Sequence, residues 1–125
     1  MLIAFSVAPS GSPSGSPSGS PRPAADGSVH DAVAAAVAVV RASGLPHRTT
    51  SMFTEIEGEW DELFAVVKAA TEAVLPFGSR VSLVLKADIR PGRTGELDGK
   101  IERLEQALTE RGDAEPDARA AAGSR

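Results

Sequence analysis

Arg80–Arg90 reads RVSLVLKADIR, and its alternation decides the fold. Val81, Leu83, Leu85, Ala87 and Ile89 take one side, and Ser82, Lys86, Asp88 and Arg90 take the other, with Val84 the exception. A period of two with one apolar face marks a half-buried strand. Leu2–Ala8 repeats the pattern at the other end of the chain: Ile3, Phe5 and Val7 are large, while Ala4, Ser6 and Ala8 are small. Between these two strands lies His47–Glu57, rich in Thr and carrying Phe53 and Ile56. Its length suits two short strands joined by a tight turn near Ser51–Phe53, with Gly58 ending the second.

The remaining segments have helical spacing. Ser28 and Asp31 form a Ser-x-x-acid capping box, followed by Val29, Val33, Val37 and Val40, with Gly44 and Pro46 as the stop. Glu59, Asp61 and Glu62 place negative charge in the first turn of a second helix, where the helix dipole favours it. Its apolar face is Trp60, Leu63, Phe64, Val67, Ala70 and Val74, so Trp60 and Phe64 are expected in the core. Pro76 and Gly78 end it, and Leu97, Ile101, Leu104 and Leu108 make a final amphipathic helix after the Pro91–Gly95 turn. The order β-α-β-β-α-β, with one helix appended, predicts an α+β ferredoxin-like sandwich. Both helices would then cover one sheet face. The other face would carry Ala4, Ser6, Ala8, Ser82, Val84 and Lys86, which makes a poor core but suits a ligand or a second subunit.

The chain of 125 residues is predicted to form one domain over residues 1–108. It is interrupted at 10–27 by a stretch of almost only Ser, Gly, Pro and Ala, including the tetrapeptide Ser-Gly-Ser-Pro three times in tandem. No apolar side chain there offsets the entropy of ordering, so a disordered loop is expected, as is a disordered tail over 109–125. Replacing 10–27 with a short Gly-Ser turn is expected to leave the melting temperature unchanged or slightly raised, because loop-closure entropy grows slowly with length. A loss beyond about 2 kcal/mol in a denaturant titration would show that the segment packs. The roughly 90 residues that remain make a thin core, for which oligomerisation is a natural remedy.

Composition removes several function classes. The net charge is −4 and the basic residues are scattered, so a phosphate-gripping stripe for nucleic acid is missing. The chain has no cysteine, hence no disulfide framework and no thiolate nucleophile. Met1–Pro9 is apolar but has no basic residue and is too short for a signal peptide or a membrane span, so a cytoplasmic location is expected.

Candidate chemistry is sparse. His30 and His47 stand alone without the acidic partners of a metal site, and His47 is read as an ordinary strand residue. Glu55 and Glu57 are two apart on a strand and share a face; they read equally as a solvated pair and as an acid–base or cation-attracting pair. No Ser-His-Asp set, phosphate loop or nucleophile elbow raises the case for an enzyme. Phe53 stands at a turn beside Thr50, Ser51 and Thr54, where an aromatic ring and several hydroxyls can stack on a planar ligand and read its polar edge.

Three segments together resemble the small thiamine-binding proteins. They are Phe5-Ser6-Val7-x-Pro9, the long motif from Thr50-Ser51-Met52 through Ile56-Glu57-Gly58-Glu59-Trp60-Asp61-Glu62, and Lys86-x-Asp88-x-Arg90 followed by Gly99-Lys100. The resemblance implies a ferredoxin-like fold and non-catalytic binding of thiamine or its hydroxymethylpyrimidine moiety, with no cofactor. It also implies a homo-oligomer, a homotetramer, with the extra helix helping assembly. Ser6, Thr50, Ser51, Phe53, Thr54 and Glu55 are then the expected ligand-binding residues, the hydroxyls meeting the pyrimidine edge and Glu55 the thiazolium cation. The Ser-Gly-Ser-Pro insertion departs from the family, which has a short connection there. The competing reading is a structural or regulatory oligomer with no ligand; an enzyme using Glu55 or Glu57 is a distant third.

Overall fold

The computed structural model describes residues 1–12 and 30–112. The Ser-Gly-Ser-Pro repeat from residue 13 on, the Ser28 cap, Val29 and the tail from 113 lie outside the described residues. Strand β1 (Leu2–Ser10) is followed by helix α1 (His30–Ala42), the short strands β2 (His47–Thr49) and β3 (Thr54–Glu57), and helix α2 (Trp60–Val74). A single 3-10 turn (Leu75–Phe77), strand β4 (Arg80–Asp88) and helix α3 (Glu96–Arg111) complete it. The sheet order is β2-β3-β1-β4 and every pairing is antiparallel, the ferredoxin-like arrangement. β1 runs to Ser10 and α3 to Arg111, so part of the expected loop is strand and the first residues of the expected tail are helix.

Alternation along β1 turns Ile3, Phe5 and Val7 inward against the helices. They meet Ile56 of β3, and Leu63, Val67, Ala70 and Val74 of α2, in one buried cluster. From α1 the cluster takes Ala32, Ala36 and Val40, whereas Val33 is exposed and Val37 half-buried. The valine stripe expected for α1 is therefore rotated. With valine and alanine both apolar, the sequence HDAVAAAVAVVRA offers no contrast between faces, and the small alanines are the residues that let α1 approach closely.

Trp60 and Phe64 are not core residues: they are 51% and 40% exposed. Their spacing of four places them on one flank of the buried stripe, where the rings stack on each other at 5.4 Å and 12°. The other sheet face carries Ser82, Val84 and Lys86 exposed opposite Ala8, Ser6 and Ala4, and helix α3 meets that face only at its other end, at Glu57 and Asp88. At the entry to β4, a Cβ on Gly78 would come within 2.6 Å of the Ser10 carbonyl oxygen, so the close approach of the two chains requires glycine.

Candidate functional site

The two edges of β1 have different lengths of partner. β4 pairs with all nine residues from Leu2 to Ser10, but β3 pairs only with Leu2–Phe5, ending where Thr54 meets Phe5. Beyond that point the chain from β2 to β3 turns away. Thr50 fixes the turn: its N–H donates to the Phe53 carbonyl at 2.9 Å, its hydroxyl donates to the same carbonyl at 3.1 Å and accepts from the Phe53 N–H at 3.3 Å. The gap left between β1 and this turn is a cavity of about 200 Å³. One wall is Phe5 through Ala8, the second is Thr49 through Thr54, and α1 contributes Val33, Ala36 and Val37. Thr54 is buried, with its hydroxyl 3.4 Å from that of Thr49.

Five of the six residues expected from the sequence, Ser6, Thr50, Ser51, Phe53 and Thr54, border this cavity although Ser6 lies more than 40 positions from the rest. Glu55 does not. Burial of Thr54 and Ile56 gives their face of β3 to the interior, and Glu55, between them, points to the opposite face, in register with Ala4 and Arg48. Met52, Val33 and Val37 also line the cavity, although the sequence marks Met52 only as part of the long motif and the two valines only as part of the α1 stripe.

Glu57 has a structural task of its own. It is buried, and its Oε2 accepts the Glu96 N–H at 2.6 Å. Helix α3 begins after Gly95, which has no side chain to cap it, so a carboxylate 39 positions away does so instead. Glu96 is itself buried and accepts from Arg103 at 2.7 Å, and ion pairs Arg48–Asp98 and Lys100–Asp88 tie the same end of α3 to β2 and β4. Burial removes the solvated reading of Glu57, and capping is the role its hydrogen bond shows. Glu57→Ala is expected to cost about 1–2 kcal/mol, the loss of a cap and of a buried hydrogen bond. A urea titration checks it, and a change under about 0.3 kcal/mol, below any cap, would contradict it.

Among the described residues no group of three or more His, Asp or Glu side chains is placed to hold a metal ion, and no helix is long and apolar enough to cross a membrane. The model for thiamine-binding proteins matches residues 3–105, which include every wall of the cavity. The chain belongs to the thiamine-binding protein family. A UPF0045 protein of Mycobacterium bovis is 43% identical over 109 residues, covering 86% of this chain and 94% of the relative. A UPF0045 protein of Synechocystis is 39% identical over 82 residues, covering 65% and 68%. Among solved structures, a hypothetical protein of Methanocaldococcus jannascii superposes with a TM-score of 0.65 at 26% identity, covering 82% of this chain and 93% of that one. A DUF77 domain of Bacillus cereus gives 0.64 at 28% identity, covering 82% and 86%. This thiamine-binding family member thus shares its ferredoxin-like fold with proteins from distant organisms.

Proposed function

We propose that the protein binds thiamine, or the hydroxymethylpyrimidine moiety of thiamine, reversibly and without chemical change. The observation that carries the reading is the family match across residues 3–105, which spans a cavity bordered by an aromatic ring and several hydroxyls. Phe53 is half-buried at the cavity wall, where an aromatic side chain can stack on a planar ring. Equilibrium dialysis of the full chain against thiamine tests both halves of the proposal. Saturable retention, with thiamine recovered intact, is expected; fragments in the dialysate would make the protein an enzyme.

The same protein is proposed to work in the cytoplasm as a homo-oligomer, a tetramer. Val84 at 57% exposure on the uncovered part of the sheet, and Ile101 and Leu104 at 50% and 54% on α3, are apolar surfaces that a second copy would bury. Sedimentation equilibrium at micromolar concentration is expected to give about four times the chain mass of 12.9 kDa. A monomer across the accessible concentration range would contradict it.

A further inference from the structure

The cavity has a property that the family match does not specify. It opens on a stretch of β1 whose backbone, among the described residues, is paired on one side only: Ser6–Ser10 pair with β4, and β3 stops at the partner of Phe5. In an antiparallel strand every second residue directs both its N–H and its C=O to the same edge. Within Ser6, Val7 and Ala8, which border the cavity, at least one residue therefore offers a donor and an acceptor side by side on the edge where β3 is missing. Pro9, next in line, has no N–H to give. Such groups are costly to bury unpaired, so a ligand that displaces their water must replace both hydrogen bonds.

Two further observations narrow the ligand. None of the described residues bordering the cavity carries a charge. The volume of about 200 Å³ is below the roughly 300–1,000 Å³ of ordinary ligand pockets, so it holds one ring rather than two linked ones. Side-chain hydroxyls are weaker candidates for the main contact. That of Thr50 is committed to Phe53 in both directions, and that of Thr54 is buried beside Thr49.

We infer that the unpaired backbone edge of β1 at Ser6–Ala8 recognises a single neutral amino-substituted heteroaromatic ring as a strand substitute, and that charge elsewhere on the ligand contributes little to affinity. The inference rests on the thiamine-class reading. An aminopyrimidine fits it: its exocyclic amine donates and the adjacent ring nitrogen accepts, matching one residue's C=O and N–H. The thiazolium and any phosphate then lie beyond the ring, away from the described walls.

Calorimetric titration of the full chain tests this with ligand variants, which leave the fold untouched. Hydroxymethylpyrimidine, thiamine and thiamine diphosphate are expected to bind within about threefold of one another, since no described cationic group awaits the phosphates. Hydroxymethylpyrimidine with its amine converted to dimethylamino keeps the ring but loses both donors, and is expected to bind at least tenfold more weakly, the effect of stranding a polar partner. Thiamine diphosphate binding more than tenfold tighter than hydroxymethylpyrimidine, or the dimethylamino compound binding as well as its parent, would each overturn the inference while leaving the thiamine reading intact. Failure of every compound to bind would remove both.

Discussion

Phe5→Ala is expected to destabilise the protein by about 3–5 kcal/mol, a large part of the stability of a domain this size. Phe5 is 2% exposed, sits in the central strand, and packs in the cluster built from both helices. Its truncation removes apolar contacts and leaves a void that close-packed neighbours fill only in part. The same ring forms part of the cavity wall, so the void would merge with the cavity and ligand binding should fall with stability. Val33→Ala provides the contrast. Val33 borders the same cavity but is 39% exposed, and its truncation is expected to cost under about 1 kcal/mol. Guanidinium denaturation of the two variants measures the difference. Equal losses would mean that Phe5 is not held as the structure shows.

Ligand is expected to produce the second large effect. A compound that binds only the folded state stabilises it by RT ln(1 + [L]/Kd), which is about 2.7 kcal/mol at a hundredfold excess over Kd. For a domain of this size that corresponds to a rise in melting temperature of about 10 °C or more. Thiamine and hydroxymethylpyrimidine should both give such a shift, and the isolated thiazole should give none, because it lacks the paired amine donor and ring-nitrogen acceptor and no described carboxylate at the cavity awaits a cation. Glu55→Gln is expected to leave the thiamine shift unchanged, since Glu55 lies on the opposite face of β3. A shift with thiazole, or its loss in Glu55→Gln, would relocate the site.

The architecture was legible because the two outer strands have contrast. Ile3, Phe5 and Val7 against Ala4, Ser6 and Ala8 define a buried face without ambiguity, and the alternation from Val81 to Ala87 marks a strand, although its inward side is only half-buried and Leu83 is 42% exposed. Contrast is also what failed. Helix α1 has apolar residues all round, so its rotation was set by packing, and Ala32 and Ala36 faced inward in place of Val33 and Val37. Trp60 and Phe64 satisfied a helical repeat as well as Leu63 and Val67 did, yet a stacked i, i+4 pair shields itself and need not enter the core.

The site was legible in part for the same reason. The hydroxyl-rich turn around Phe53 is a local feature, and it does border the cavity. The capping of α3 by Glu57 spans 39 positions and has no local signature; the only trace is that Gly95 leaves the helix without a cap of its own. Likewise, the unpaired edge of β1 follows from β3 being five residues shorter than its neighbour, which the ladder reveals and the composition does not.

The central claim, that this chain is a binding protein for thiamine or its pyrimidine half, is tested most directly by calorimetric titration of thiamine into the purified full chain. The account predicts a saturable heat with one ligand site per chain, and thiamine unchanged when it is recovered afterwards. Absence of any saturable heat at millimolar thiamine, a concentration at which even binding as weak as about −4 kcal/mol registers, would contradict it and favour a structural oligomer.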